Sequence, residues 1–424
     1  MILKISIFGF PRYGTRHALQ PSTVSTLKAH LASGIYHDSK PICAHPDPPH
    51  GFCETGLAQA GSFMTDPICA RDRAQSSAQR HAGIESLVCP ECGTRLAAEG
   101  GKLHCPQCGT GWPIVDGIPH LVGSFPYWGE IPLDQMREVN RLARINGWKR
   151  ALLDSPEPSV QRASRMILNL DRANWQWLLN LPSESRVLDV GAGMGTNSHA
   201  LALHYREVVA VEPVSERIEF MQQRFTQEKL SNIKLFRSSI WALPFAPESF
   251  DLIAMNGVLE WVAEGCTGDP GEVQEAALAN VFRLLRPGGY LYLGIENRLA
   301  YGHFIGYNDP HCGLPLVTIL PRPLAHWYAR RKGQSGYRNY LYSSRSYRKL
   351  LCKAGFTAVE TYVAVPSYND PRFLIPLQGN VFSYYARNFD SVHSSRLKEI
   401  VHWVLLRTEL LQQFEYSFAI LARK

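Results

Sequence analysis

The stretch VLDVGAGMGTNSHALA, residues 187–202, decides the fold of this chain. A short apolar run predicts a strand, three alternate glycines follow it, and a helical pattern begins at Thr196. In doubly wound parallel sheets, ligands bind at the carboxyl ends of strands, where glycines let the backbone approach the ligand. The G-x-G-x-G spacing has Thr196 where the dinucleotide fingerprint has its last glycine, and the chain contains no P-loop sequence. We therefore predict a ligand site at this strand-to-helix turn.

Strands and helices alternate after residue 182, which predicts an α/β fold with a Rossmann-like, doubly wound sheet of seven strands. Strands are predicted at 186–190, 208–212, 233–237, 250–255, 290–295, 358–364 and 415–422. Helices are predicted at 196–204, 215–227, 271–285 and 344–354. Glu212 ends the second strand, where a carboxylate can accept hydrogen bonds from both hydroxyls of a ribose.

Two Cys-x-x-Cys knuckles precede this pattern, with twelve residues between the inner cysteines; they supply Cys89, Cys92, Cys105 and Cys108. Four thiolates at such spacing are typical of tetrahedral zinc, and Gly93 and Gly109 suit the tight turn after each knuckle. Neither pair opens the helix of a βαβ unit, which argues against a redox dithiol. Because four cysteines leave no open position on the metal, we predict a structural Zn²⁺ in a small zinc ribbon.

The composition is that of an ordinary globular protein, with 45% hydrophobic and 19% charged residues among 424. The sequence has no run of eighteen apolar residues and no secretory signal at its start, so we expect a cytoplasmic protein without a transmembrane segment. Disulfides are rare in that compartment, which favours metal-bound or buried cysteines. The net charge of +7 permits an anionic partner without requiring one.

Four sequence motifs occur in a fixed order: VLDVGAGMG, VVAVEP, LPFAPESFDLIAMNGVLEWV and LLRPGGYLYLGIENR. Together they resemble the class I S-adenosylmethionine-dependent methyltransferases of the type 11 group, over roughly residues 183–300. The knuckles followed by WPIVDGIPHLV are similar to short bacterial zinc-ribbon proteins that stand alone or precede methyltransferases. The insertion IENRLAYGHFIGYNDPHCGLPLVTILPR, residues 295–322, resembles inserts of zinc-ribbon methyltransferases associated with bacterial surface-glycan assembly, and FPYWGEIP and SYNDPRFLIPL add to this resemblance.

The resemblance implies S-adenosylmethionine as cofactor and gives a role to each matching residue. The implied contacts are the methionine end for Asp189, Gly191, Gly193 and Gly195, the ribose hydroxyls for Glu212, the adenine for Ser239 and Ile240, and the sulfonium side for Asn256. Ser239 departs from the family, which often has Asp there. A neutral hydroxyl is a weaker acceptor than a carboxylate, so the adenine contact is expected to be weaker.

We predict four segments: a disordered extension at 1–85, with Met64 as an alternative start, a zinc ribbon at 86–124, a helical lead-in at 125–182 and a methyltransferase domain at 183–424. The ribbon carries a hairpin turn at Asp116-Gly117, and the lead-in is predicted to form helices at 132–153 and 159–181. The methyltransferase domain contains a substrate insertion at about 297–343 and a helical insertion at about 378–413.

The methyl acceptor is expected at the insertion that follows the fifth strand. We predict O-methylation of a glycan, a nucleotide-linked or lipid-linked sugar, or another small molecule, with peripheral membrane contact left open. His311 and Glu260 are the candidate bases, since an imidazole or a carboxylate can take up a hydroxyl proton. The alternative for each is a purely structural role. The motifs of DNA amino-group and cytosine-C5 methylation are both absent from the sequence.

Two other functions remain open at this stage. One is an RNA methyltransferase that uses the zinc ribbon to dock RNA, and the other is a cofactor-binding scaffold without turnover. Residues 322–353 carry nine Arg and Lys among several tyrosines and no acidic residue. In one interpretation, these cations bind phosphates while the tyrosines stack on bases or sugars. In the other, they form a solvated helix face over a partly buried tyrosine cluster. The sequence does not determine the oligomeric state.

Overall fold

The computed structural model describes residues 3–4, 87–388, 404–405, 407 and 410–424. In chain order, the strands are β1 Leu3–Lys4, β2 Ala97–Glu99, β3 Lys102–His104, β4 Gly111–Val115, β5 Ile118–Pro119, β6 Arg186–Val190, β7 Glu207–Glu212, β8 Ile233–Arg237, β9 Phe250–Asn256, β10 Leu285–Glu296, β11 Ala358–Ser367, β12 Asp370–Pro376 and β13 Ser417–Arg423. Apart from Leu3 and Lys4, residues 1–86 lie outside the described part of the chain, and so does most of the predicted N-terminal extension.

The helices are α1 Leu133–Asn146, α2 Trp148–Leu153, α3 Pro158–Leu168, α4 Thr196–Ala202, α5 Ser215–Gln227, α6 Pro270–Leu284, α7 Tyr301–Phe304, α8 Arg322–Arg331, α9 Ser344–Lys353 and α10 Val381–Asn388. Two 3₁₀ helices span Leu170–Leu178 and Leu411–Gln413. Within the predicted helical insertion, residues 389–403 are not among those described. In the described part of the chain, every helix is too short or too polar to cross a bilayer.

Nine strands form the main sheet in the order β1-β12-β11-β13-β10-β9-β6-β7-β8. Parallel pairing joins β10, β9, β6, β7 and β8, whereas β13 lies antiparallel between β10 and β11. The chain order reverses between β6 and β9, which opens a crevice at the carboxyl ends of these strands. All seven predicted strands are present, so the α/β expectation is confirmed; β12 and β1 extend the sheet to nine.

The prediction missed β12 because this strand of only seven residues contains prolines at 371 and 376, which are typical of a loop. In the structure, β12 folds back on β11 as an antiparallel hairpin. Proline is tolerated there because the other neighbour of β12 is the two-residue β1, which pairs only at Phe373 and Leu374.

Two lead-in predictions were wrong. The helix expected over 132–153 is divided into α1 and α2 at Gly147, whose φ of 91° is incompatible with a continuous helix. The helix expected over 159–181 ends at Leu168 and continues as the 3₁₀ helix Leu170–Leu178. That 3₁₀ helix places Trp175 in a parallel stack on Tyr292 of β10, with ring centroids 3.7 Å apart and both side chains fully buried.

The ribbon packs against β8, the edge of the main sheet. Val88 N–H donates to the Pro244 carbonyl at 3.0 Å, and Leu121 N–H donates to the Arg237 carbonyl at 2.8 Å. Ile118 of the ribbon joins a buried cluster with Met221 and Phe225 of α5. The ribbon therefore covers a strand edge that would otherwise expose unpaired backbone groups.

Candidate active site at the carboxyl edge of the sheet

The glycine loop joins β6 to α4, and its three glycines all have left-handed backbone conformations, with φ of 67°, 58° and 76° at Gly191, Gly193 and Gly195. A Cβ at Gly195 would lie 2.6 Å from Phe225 Cζ, so this glycine permits close packing of the loop on α5. A Cβ at Gly193 would have no described atom within 4 Å. The loop is thus packed on one side and open on the other.

Asp189 and Glu212 lie at the carboxyl ends of the adjacent strands β6 and β7. Asp189 is buried and accepts a hydrogen bond from Ser198 Oγ at 2.6 Å; burial raises the pKa of its carboxyl to about 6. Glu212 accepts the backbone N–H groups of Gly193 at 2.9 Å and Val214 at 3.1 Å. Burial raises the pKa of Glu212, and the Arg217 guanidinium 3.9 Å away opposes that rise. The Gly193 contact fixes Glu212 beside the glycine loop.

The other predicted cofactor contacts lie along the same edge. Ser239 is half-buried just beyond β8 and accepts the Trp241 N–H at 3.3 Å. Ile240 is buried, and its carbonyl accepts from Asn280 Nδ2 at 2.8 Å. Asn256 ends β9, with its amide 2.9 Å from the Tyr292 hydroxyl. The structure therefore brings the ends of β6, β7, β8 and β9 to one crevice.

Arg172, from the 3₁₀ helix Leu170–Leu178, is a site residue that the sequence analysis missed. With the Asn256 amide oxygen turned toward it, Arg172 donates from Nε at 3.0 Å and from Nη2 at 2.6 Å. It also donates to Asn369 Oδ1 at 2.5 Å. Its charge lowers the pKa of Asp189 against the larger effect of burial. The lead-in thus supplies a cation to the crevice, and no local pattern in its sequence marks this residue.

The candidate bases His311 and Glu260 meet at the end of β10, although they are about fifty positions apart in the chain. His311 Nε2 lies 3.8 Å from Glu260 Oε1 and 3.7 Å from Glu296 Oε2, and His311 Nδ1 lies 3.2 Å from Asp309 Oδ1. Glu296 also accepts from the Tyr368 hydroxyl at 2.9 Å. Glu260 itself lies in the irregular turn that follows β9, where residues 257–265 form no helix.

Burial and charge act in opposite directions within this carboxylate–histidine cluster of Glu260, Glu296, Asp309 and His311. Burial disfavours the charged imidazole, but the hydrogen bond to Asp309 and the surrounding carboxylates outweigh it and raise the pKa of His311 well above its ordinary value. Burial, then the charge of Glu260, raises the pKa of Glu296 to about 7. This setting favours a positive charge at the Nε2 side of His311 when no other cation is present, which weakens the prediction that it acts as a neutral base. Glu296 and Asp309 were not predicted; Glu296 stands in the quoted GIENR motif.

An aromatic chain connects the lead-in to this cluster. Trp128 stacks on Trp261 with ring centroids 4.4 Å apart, and Trp261 meets the His311 ring edge-on at 5.0 Å. The Arg217 guanidinium lies 4.7 Å from the Trp128 ring centroid on the side of Glu212. The segment around Trp128 therefore runs from the Glu212 side of the crevice to the cluster.

The four knuckle cysteines converge as a tetrahedral site requires. Cys89 Sγ lies 3.6 Å from Cys108 Sγ, and Cys92 Sγ lies 3.4 Å from Cys105 Sγ. All four sulfur atoms lie within 4.8 Å of one another. A tetrahedron with zinc–sulfur bonds of ~2.3 Å has edges of ~3.8 Å, so these residues fit the metal. Each knuckle forms the same kind of turn: the Gly93 N–H donates to the Cys89 carbonyl at 2.8 Å, and the Gly109 N–H donates to the Cys105 carbonyl at 3.0 Å.

Three arginines of the stretch 322–353 form hydrogen bonds with backbone carbonyls of the fold. Arg338 Nε donates to the Ala263 carbonyl at 3.0 Å, and Arg348 Nη2 donates to the Val359 carbonyl at 2.6 Å. The Arg322 guanidinium lies 3.9 Å from the Tyr340 ring centroid and donates to the Leu341 carbonyl. These contacts favour the structural interpretation of the stretch for these three residues.

Two family models match parts of this chain. Residues 188–293 match the family model described as "Methyltransferase domain", and residues 84–117 match the model described as "Trm112p-like protein". An uncharacterized methyltransferase of Schizosaccharomyces pombe is 28% identical over 122 residues, 28% of this chain and 43% of its own length. The malonyl-[acyl-carrier protein] O-methyltransferase of a Paenibacillus species is 26% identical over 113 residues, 26% of this chain and 38% of its own.

The chain thus spans less than half the length of these two curated relatives. Among solved structures, phosphoethanolamine N-methyltransferase 1 of Haemonchus contortus, in complex with phosphoethanolamine and S-adenosylhomocysteine, is 17% identical. Its TM-score is 0.38, and the match covers 70% of this chain and 51% of that one. The matched residues 188–293 include the glycine loop and most of the segment from β6 to β10.

Proposed function

We propose that this protein is an S-adenosylmethionine-dependent methyltransferase. The observation that carries the proposal is the position of Asp189 and Glu212 at the ends of β6 and β7, beside the open face of the glycine loop; β6 also borders the reversal in strand order. The match of this segment to the methyltransferase-domain family supports the same conclusion.

The residues of the crevice fit the cofactor in charge and shape. Each Glu212 oxygen accepts one backbone N–H and keeps a lone pair for a ribose hydroxyl. The open space over Gly193 leaves room for the methionine portion of the cofactor beside Asp189. The Arg172 guanidinium would face the carboxylate of that methionine portion. Ser239 and Ile240 would flank the adenine. S-adenosylmethionine supplies an electrophilic methyl group on sulfur when bound.

We infer that the acceptor is a hydroxyl held near the carboxylate–histidine cluster. Tyr368 donates to Glu296, and its hydroxyl lies 2.8 Å from the position of a Cβ at Gly257, next to Asn256. The Tyr368 side chain therefore connects the cluster to the end of β9. In the transfer, the acceptor oxygen bonds to the methyl carbon, the carbon–sulfur bond breaks with its electron pair kept by sulfur, and the hydroxyl proton leaves toward the cluster.

A glycan or lipid-linked sugar is the acceptor class that we favour. Exposed large apolar side chains concentrate in the insertion after β10; they are Tyr301, Phe304, Ile305, Tyr307, Leu316, Leu324 and Trp327. On α8, Leu324 and Trp327 are more than half exposed, and Arg331 lies 5.3 Å from the Trp327 ring. An apolar and basic helix face is suited to a membrane surface that carries a lipid phosphate. A cytoplasmic location for the protein is part of the same proposal.

We also propose that the four knuckle cysteines bind a structural Zn²⁺. The bound metal would hold the ribbon against β8, because Leu103 and Trp112 belong to the same buried cluster as the sheet residues Val209 and Phe236. Its contribution to function is then to support α5 and the glycine loop, and not to take part in methyl transfer.

Methyl-labelled S-adenosylmethionine, the purified full chain and an extract of the source cells test the proposal. We expect label in a carbohydrate or lipid-linked fraction that survives ribonuclease, and a large loss of that label with Glu212→Gln. Label removed by ribonuclease would overturn the acceptor assignment and favour the RNA alternative. Cofactor binding without transfer to any fraction would overturn the enzyme assignment and favour a scaffold.

A further inference from the structure

The carboxylate–histidine cluster has three ligand atoms directed at one point. Glu260 Oε1 and Glu296 Oε2 both face His311 Nε2, at 3.8 and 3.7 Å, and one oxygen or nitrogen from each of the three residues lies within 4.8 Å of the others. The residues come from three separate places: the turn after β9, the end of β10 and the insertion that follows it. Such convergence of distant segments is typical of a binding site.

The oxygens of this cluster lack hydrogen-bond donors. Glu260 is 1% exposed, and within the described part of the chain neither of its carboxylate oxygens accepts a hydrogen bond. Glu296 is 5% exposed and uses Oε1 for Tyr368, while Oε2 accepts none from those residues. Buried carboxylates are normally paired, hydrogen-bonded or bound to a metal. Apart from the long contacts with His311, the free oxygens of these two carboxylates have no hydrogen-bond partner among the described residues.

The distances separate a cation site from an ordinary ion pair. Charged N–H···O hydrogen bonds are ~2.7–2.9 Å long, which is about an ångström shorter than the contacts of His311 Nε2 with Glu260 and Glu296. Two ligand atoms that are each ~2.1 Å from one ion can lie up to ~4 Å apart. The observed spacing thus leaves room for an ion between the imidazole and the two carboxylates.

Asp309 orients the imidazole in the way that metal-binding histidines require. Its Oδ1 lies 3.2 Å from His311 Nδ1 and also accepts the N–H groups of His311 and Cys312 at 2.9 and 3.0 Å. Thr318 Oγ1 donates to Oδ2 at 2.7 Å and holds the carboxylate in place. A proton on Nδ1 that faces a carboxylate leaves the Nε2 lone pair free for a cation.

We propose that Glu260, Glu296 and His311 bind one divalent metal ion, with Asp309 as the residue that positions His311. Two carboxylates and one imidazole suit a hard or borderline ion such as Mn²⁺, Fe²⁺ or Zn²⁺. Three protein ligands leave coordination positions open for an acceptor oxygen. That catalytic role rests on the proposed function: the ion would lower the pKa of the acceptor hydroxyl and so ease the loss of its proton toward the cluster.

Manganese is the probe, because the thiolates of the ribbon favour zinc whereas this cluster offers oxygen and nitrogen. Calorimetry and electron paramagnetic resonance on the zinc-loaded full chain should give one bound Mn²⁺. Glu260→Gln should weaken that binding at least tenfold, and Asp309→Asn by about 10- to 100-fold. Glu264→Gln, at an exposed position in the same turn, is the matched control and should bind Mn²⁺ as the wild type does.

A wild-type chain that binds no Mn²⁺, or equal binding by Glu260→Gln and Glu264→Gln, would overturn the site. Folding does not confound the comparison, because Glu260→Gln removes a buried charge that accepts no hydrogen bond from the described residues. Circular dichroism verifies that the variant keeps the wild-type fold, and Mn²⁺ should raise the melting temperature of the wild type only. Metal binding without methyl transfer would contradict the proposed function alone, and transfer that is insensitive to both metal and Glu260→Gln would contradict the metal site alone.

Discussion

Replacing Gly195 or Gly193 by alanine should separate the packed side of the glycine loop from its open side. Both residues have positive φ, so each alanine carries a backbone penalty of ~1–2 kcal/mol. At Gly195 the new Cβ would also lie 2.6 Å from Phe225 Cζ and 2.9 Å from Met221 Cγ, which adds ~1–3 kcal/mol of overpacking. We therefore expect Gly195→Ala to lower the free energy of unfolding by ~2–5 kcal/mol and Gly193→Ala by ~1–2 kcal/mol.

For cofactor binding we expect the opposite order, with the larger loss in Gly193→Ala and the smaller loss in Gly195→Ala. The Cβ of Gly193→Ala enters the open space assigned to the cofactor, so this variant should lose at least about tenfold in affinity for S-adenosylhomocysteine while it stays folded. Urea unfolding followed by circular dichroism measures stability, and calorimetric titration measures binding. Equal destabilisation by the two alanines, or unchanged affinity in Gly193→Ala, would refute the assignment of the two sides of the loop.

Three further predictions concern the ribbon, the crevice and the core. Cys105→Ser should release zinc and lower the melting temperature, whereas the exposed Cys352→Ser should change neither zinc content nor melting. Burial raises the pKa of Asp189 from about 3.8 to about 6, so the contribution of its protonated form to stability is complete below pH 3.8 and is lost as pH rises through 6. The unfolding free energy of Asp189→Asn should therefore exceed that of the wild-type apoprotein by up to ~3 kcal/mol at pH 8 and by less at pH 5. A constant difference across that range would contradict this. Trp175→Ala should lower the unfolding free energy by ~3–5 kcal/mol, because it empties the site stacked on Tyr292; a loss under ~1 kcal/mol would show that the stack matters little.

The parts of the fold that sequence predicts well are those set by local patterns. The strands β6, β7 and β9 are short, mostly apolar and almost wholly buried, and the glycine loop has a fixed spacing, so these strands lie close to their predicted positions. The cysteine knuckles are equally local. By contrast, α1 and α2 were predicted as one helix because a single glycine inside an amphipathic pattern does not by itself signal a break.

The acceptor side of the site could be predicted only in part. His311 and Glu260 were selected by residue type, but their meeting with Glu296 depends on how the insertion folds back over β10. Arg172 reaches the crevice because the predicted helix over 159–181 ends at Leu168 and turns into a 3₁₀ helix. Contacts between segments that lie far apart in the chain leave no periodic signal in one sequence.

Titration of S-adenosylmethionine into the full chain tests the central claim most directly. The wild type should bind one equivalent, and Glu212→Gln should bind about 10- to 150-fold more weakly, since a hydrogen bond to a charged group contributes ~1.5–3 kcal/mol. Glu207→Gln is the matched control, because Glu207 lies at the opposite end of β7 and pairs with Arg186 and Lys234. Binding weakened by Glu212→Gln alone is the result that we predict; absent binding, or equal affinity in the two variants, would contradict a cofactor site at the carboxyl edge of the sheet.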